Sequence, residues 1–206
     1  MKIGIDIGAW VGDTLNIFKD FDLVYAFEPN KFAFEKLKNN VGNDPKYKLF
    51  DIAVSNFTGT QQFHAMESEG LSSLLIYDED GEFAQEIQRR SSGENIAKIK
   101  ETYDVKTIRL SDFFEQENIT HVDYLKIDAQ GCDLLVIESL GDKINLVKVI
   151  ECEAQIKPLY KNQPLINDVI NYMNNINFEM VSNGYNENPN NQNWESKLVF
   201  KNKSYA

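Results

Sequence analysis

Short apolar runs and segments of helical period alternate along much of the chain. Lys2 to Ile7 reads as a strand, Leu23 to Phe27 as a second whose unbroken apolar run suits burial on both faces, and Lys48 to Val54 as a third. Between them, Gly12 to Lys19 predicts a helix. After Glu28-Pro29-Asn30, the positions of Phe32, Leu37 and Val41 give a second helix its apolar side. Gly59 marks a turn ahead of the alternating segment Gln61 to Met66, and a long polar stretch follows from Glu67 to Asp104, with helical character over Glu82 to Arg89. Its charge and its place between strands predict a surface insertion or lid at 67–104 within one domain spanning 1–206.

Order then returns. Lys106 to Leu110 predicts a strand, Asp112 starts a short helix, and Val122 to Asp128 is the next strand. Asp133 to Leu140 is helical, with Gly141 as its C-cap, and Leu146 to Ile150 leads as a strand into Glu151-Cys152-Glu153. Leu165 to Asn175 predicts a helix, Phe178 to Ser182 and Lys197 to Phe200 the last strands, and the Asn-rich Asn183 to Asn193 a loop between them. Strands alternating with helices predict an α/β fold, a doubly wound and mostly parallel sheet with helices on both faces.

Composition narrows the function. A chain of 206 residues, 42% of them hydrophobic, suffices for one substantial core. A net charge of -11, with no basic stripe interleaved with aromatics, disfavours nucleic acid as substrate. No apolar run is long enough to cross a bilayer, and Met1-Lys2 runs straight into the first strand, so a cytoplasmic protein is expected. Cys132 and Cys152 lie in or beside predicted core elements and read as packed thiols.

Candidate chemistry begins at the first turn, where Asp6, Gly8 and Gly12 are spaced D-x-G-x-x-x-G after an apolar strand. Glycine permits close backbone approach to a ligand, and the pattern suits a nucleoside laid across a strand end. The dinucleotide spacing G-x-G-x-x-G is absent because Ala9-Trp10-Val11 separates the two glycines. Asp13, expected in the first turn of a helix with Thr14 beside it, would favour the helix dipole and repel a phosphate. A phosphate-free, cationic nucleoside such as S-adenosylmethionine fits these features.

Ligands of doubly wound sheets lie beyond the carboxyl ends of the strands, and four predicted strands end in acids there: Asp6, Glu28, Asp128 and Glu151, with Glu153 one step on. Neighbouring strands are about 4.8 Å apart, so these groups can line one trough. Glu28 lies 22 positions after Asp6, near the separation at which the second strand presents an acid to a ribose; the alternative is a helix cap. Asp6 either orients the glycine turn or meets the cofactor's ammonium through water. Asp51, near the end of the third strand, is a candidate for the adenine amino group.

Taken together, the chain resembles FkbM-type S-adenosylmethionine-dependent methyltransferases. The matching residues are Ile5-Asp6-Ile7-Gly8-Ala9 with Gly12, Ala26-Phe27-Glu28-Pro29, Ala53-Val54-Ser55 with Gly59, Ser72-Ser73-Leu74, Thr107 and Leu110 ahead of Asp112, and Leu125-Lys126-Ile127-Asp128-Ala129-Gln130-Gly131. Trp10 stands where that family has a small polar residue, and Gln130 and Asp133 where it often has Glu. The resemblance implies a class I methyltransferase sheet, Rossmann-like, with an antiparallel C-terminal strand. It also implies a hydroxyl acceptor on a sugar, glycan or small natural product, and places Pro29, Ala53, Ser72 and Ser73 near cofactor or acceptor.

An alcohol acceptor needs a group to take its proton. Asp128 is the first candidate, either touching the acceptor or shaping the pocket. Lys126, on the same strand face by period-two alternation, is a candidate to hold that carboxylate or the acceptor oxygen. His64 is a further candidate base, whereas His121 precedes the strand Val122 to Asp128 at the wrong end. Asp128, Glu151 and Glu153 are a less favoured set for a divalent cation. Two rival readings remain, an NAD-dependent oxidoreductase and a non-catalytic nucleoside-cofactor-binding module.

Overall fold

The computed structural model describes residues 1–90, 98–184 and 195–205, with the side chains of 87–90 excepted. β1 (Ile3–Ile7) is buried at every position and lies between β2 (Leu23–Phe27) and β7 (Tyr124–Ile127), parallel to both. With β3 (Tyr47–Phe50), β8 (Val149–Gln155), β9 (Phe178–Asn183) and β10 (Glu195–Asn202) they form a seven-stranded sheet in the order β3-β2-β1-β7-β8-β10-β9. β10 runs antiparallel to both its neighbours, and the other pairings are parallel. Strand order therefore reverses between β1 and β7, opening a crevice at their carboxyl ends.

Both faces are covered. Phe27 and Phe50 stack at 4.9 Å and meet Phe113 edge-on on α3 (Leu110–Gln116); α4 (Asp133–Glu138) and α5 (Ile166–Asn175) pack the same face through Val136, Ile137, Val169 and Met173. On the opposite face lie Phe18, Phe21 and Leu37, the last on α1 (Lys31–Val41). Gly4 is required on that side, because a Cβ there would stand 2.4 Å from the Phe18 ring.

Several predicted elements differ. The helix expected over Gly12 to Lys19 is a single 3-10 turn, Leu15–Phe18. Gly8, Trp10 and Gly12 all take left-handed backbone (φ 75°, 47° and 93°), which interrupts a right-handed helix. Asp13 consequently sits on no α-helix N-terminus, and the dipole argument for phosphate exclusion does not apply. The expected strand Lys48 to Val54 splits at Asp51-Ile52: β3 stays in the main sheet, while β4 (Ala53–Val54) joins a second sheet of order β4-β6-β5.

In that second sheet β5 (Gly59–Met66) pairs antiparallel with β6 (Ile99–Ile108), so the strand expected from Lys106 begins seven residues earlier. Lys100, Thr102, Asp104 and Lys106 face water at alternate positions, which made its first half read as irregular. The helix expected over Glu82 to Arg89 is α2 (Glu82–Arg90). β8 likewise continues through Glu151 to Gln155 because β10 pairs along it. From residue 185 onward, the predicted Asn-rich loop lies outside the described residues.

Candidate active site

At the reversal point lies a cleft open to solvent on one side. Gly8, Glu28 and Asp128 come from the ends of β1, β2 and β7; Ala53 and Phe63 come from the second sheet, Ile52 from the link that leads into it, and Glu69, Ser72 and Leu74 from the strap after β5. Gly8 cannot carry a side chain. Its φ is 75° and a Cβ would stand 1.9 Å from the Asp128 carbonyl oxygen, so the turn packs directly on the end of β7.

Glu28 is buried, and both of its oxygens are oriented by backbone: Oε2 accepts from the Trp10 N–H at 2.8 Å and Oε1 from the Asn30 N–H at 2.7 Å. Burial pushes its pKa up to about 7 against the downward pull of those two donors. Each oxygen keeps a second lone pair, which suits a vicinal diol. Asn30 caps α1 through Oδ1 and donates from Nδ2 to Ser72 Oγ at 3.2 Å, tying the strap to the floor.

Asp128 is half-buried, and its Oδ1 accepts from Gln130 Nε2 at 2.8 Å. Gln130 is itself fixed: its φ is 47°, and its carbonyl accepts from Ser73 Oγ at 2.7 Å. The Tyr160 hydroxyl stands 3.1 Å from Gln130 Oε1 and 2.9 Å from the Leu71 carbonyl, sharing one proton between two acceptors. A left-handed non-glycine residue whose side chain grips a cleft carboxylate marks a built site.

The family model for the FkbM methyltransferase domain matches residues 6–180. The chain belongs to this family. A curated relative, the 2-O-methyltransferase NoeI of Sinorhizobium fredii, is 23% identical over 77% of this chain, and the chain spans 63% of that relative's length. Two solved structures share the fold at TM-score 0.51 and 10% identity: SMU.1697c of Streptococcus mutans with S-adenosylhomocysteine bound, and an rRNA methylase from Streptococcus thermophilus. Each is matched over 98% of this chain, and over 88% and 87% of its own length. The FkbM methyltransferase domain thus has the fold of class I methyltransferases, which displaces the NAD-dependent reading.

Several residues expected at the site of this FkbM domain lie elsewhere. Asp6 is fully buried beneath the cleft, accepting from Thr14 Oγ1 at 3.2 Å and Lys126 Nζ at 3.0 Å. Lys126 stands directly across from Asp6 in register, so its ammonium goes to that carboxylate and not to an acceptor. Burial lowers the Lys126 pKa, but the carboxylates of Asp6, Asp128 and Glu151 outweigh it and hold the ammonium charged. Ala9 and Gly12 pack under the turn; Asp13 and Asp51 are exposed, and none of the four lines the cleft.

His64 stands off the cleft as well, with Nδ1 3.0 Å from Thr102 Oγ1 and its pKa lowered by burial. Its backbone pairs with Ser73, so it positions that serine instead of reaching substrate. The set proposed for a divalent cation is not assembled. Glu151 takes the Tyr124 hydroxyl at 2.5 Å and Lys197 at 3.1 Å, and among the described residues no three His, Cys, Asp or Glu side chains are disposed to hold a metal. Both cysteines are buried and free, and Cys132 lines the cleft. The sequence offered Gln130 through its place in Asp128-Ala129-Gln130-Gly131, but it carried no signal for Ile52, Phe63 or Glu69.

Proposed function

We propose that the chain transfers a methyl group from S-adenosylmethionine to a hydroxyl of a sugar, glycan or other small natural product. The observation that carries this reading is the pairing of Glu28 with Asp128 in a cleft that, among the described residues, no lysine, arginine or histidine lines. Such a lining accepts a diol and a cationic ligand and disfavours phosphates. S-adenosylmethionine supplies, when bound, an electrophilic methyl on a good leaving group.

The chain's own part is to bind and orient. Glu28 accepts the ribose hydroxyls, and the bare Gly8 turn lets backbone approach them. Gln130 engages Asp128 Oδ1 and leaves Oδ2 to orient the acceptor hydroxyl and take its proton. The similarity to a 2-O-methyltransferase supports oxygen as the acceptor atom, and the net charge of -11 weighs against a polyanionic one.

Incubation with methyl-labelled S-adenosylmethionine and pooled glycans, glycosides and RNA tests this. The expected product is an alkali-stable methyl ether on a carbohydrate or small-molecule hydroxyl, abolished by Asp128→Ala. Label found only on RNA overturns the acceptor class; normal cofactor binding with Asp128→Ala matching wild type on the methylated acceptor overturns the role of Asp128.

A further inference from the structure

Trp10 is the one aromatic side chain of the glycine turn, and nothing above uses it. It lines the cleft, is 42% exposed, and holds φ 47°, a conformation costly for a bulky residue. Its N–H is bonded to Glu28 Oε2, the carboxylate assigned above to the ribose. The indole therefore springs from the point where the ribose is held. In the methyl donor one methylene joins the ribose ring to sulfur, so a cleft-lining group rooted beside the ribose site is within reach of the sulfonium.

The charge of the lining points the same way. Neither Glu28 nor Asp128 makes an ion pair among the described residues, whereas Glu69 is bound to Lys36 at 2.8 Å. A cation in this cleft meets the carboxylates of Glu28 and Asp128 and the partly exposed Trp10 indole, and indole is the best of the side-chain rings for cations.

We propose that the Trp10 indole forms the wall against the sulfonium and makes the cleft favour the charged donor over its neutral product, S-adenosylhomocysteine. The inference rests on the cofactor reading of the cleft given above. It assigns Trp10 a place in the catalytic cycle: the contact is lost when sulfur loses its charge, which speeds product exit.

Calorimetry with S-adenosylmethionine, S-adenosylhomocysteine and sinefungin, which carries an ammonium in place of the methylsulfonium, tests it on wild type, Trp10→Phe and Trp10→Asn. Asparagine tolerates left-handed backbone, so its fold is preserved while the ring is removed. The expected result is that Trp10→Asn lowers the preference for the two charged ligands over the homocysteine by about three- to fivefold, with Trp10→Phe recovering part of it. Equal weakening of all three ligands would assign the indole to the ribose or adenine and overturn the proposal, as would an unchanged preference. Failure of wild type to bind any of the three would instead remove the cofactor reading itself.

Discussion

Replacing Glu28 by glutamine separates what this carboxylate costs the fold from what it gives the ligand. Its pKa is pushed from 4.5 to about 7 by burial, about 2.5 pH units, or roughly 3 kcal/mol at 1.36 kcal/mol per unit. That destabilisation is absent below the unfolded pKa, grows as pH rises from about 4.5, and is complete above about 7. Glutamine has no such dependence, but its amide can accept only one of the two N–H groups, from Trp10 and Asn30, that Glu28 now satisfies. The other is left facing a donor, a cost of roughly 1–3 kcal/mol. Glu28→Gln should therefore melt below wild type at pH 5 and reach or exceed it at pH 8, the relative shift being about 6–12 °C for a domain of this size.

Ligand binding should move the other way. Two ribose hydroxyls donating to an ionised carboxylate make charge-assisted bonds of about 1.5–3 kcal/mol each, so the glutamine variant should lose about 100-fold in affinity for S-adenosylhomocysteine at pH 8. Wild-type affinity should rise with pH between 6 and 8 as Glu28 ionises, and the variant should show no such rise. Melting curves at both pH values and calorimetry across the range decide the matter. A folded variant that binds within about threefold of wild type, or a melting difference independent of pH, would refute the assignment of Glu28.

Further perturbations probe other parts of the site. Gly8→Ala forces a Cβ to 1.9 Å from the Asp128 carbonyl at φ 75° and should cost about 4 kcal/mol or more in urea unfolding; a loss under about 1 kcal/mol would show that the two strand tips part easily. Lys126→Met strands the buried Asp6 carboxylate and should cost about 3–5 kcal/mol, partly recovered in Asp6→Leu/Lys126→Met, while molecules that still fold bind S-adenosylhomocysteine within a few-fold of wild type. Tyr160→Phe removes the hydroxyl shared by Leu71 and Gln130, costing roughly 1–3 kcal/mol. By freeing Gln130 it should lower the methyl-transfer rate about tenfold more than cofactor affinity; equal losses in both would assign Tyr160 to the fold alone.

Much of the parallel half of the sheet was legible because strands buried on both faces leave unbroken apolar runs, as in Leu23 to Phe27. Elements whose form depends on other elements were not. Trp10 takes a conformation that no propensity assigns to tryptophan, and the left-handed Gly12 after it leaves the first helix one turn long. The outer half of β6 is a strand because β5 pairs with it, a fact that alternate polar residues conceal. Gly8, Glu28 and Asp128 could be read from local motifs at strand ends, whereas Ile52, Phe63 and Glu69 reach the cleft only through the second sheet and its strap. Period-two alternation puts Lys126 on the Asp128 side of its strand, but its destination depended on the register that sets it across from Asp6.

That register also explains how a row of acids at neighbouring strand tips is tolerated. Asp6 is answered by Lys126 and Glu151 by Lys197, each within 3.1 Å. Burial and the neighbouring Asp128 push the Glu153 carboxyl up to about 8, which favours its neutral form. What remains in the cleft without a cation is Glu28 and Asp128. S-adenosylmethionine carries two cationic centres, an ammonium and a sulfonium, and one carboxylate. A further unpaired acid beside Glu28 and Asp128 would raise their pKa values and favour their protonation. The lysines on these strands therefore act on the site indirectly, by neutralising the acids that the ligand does not need.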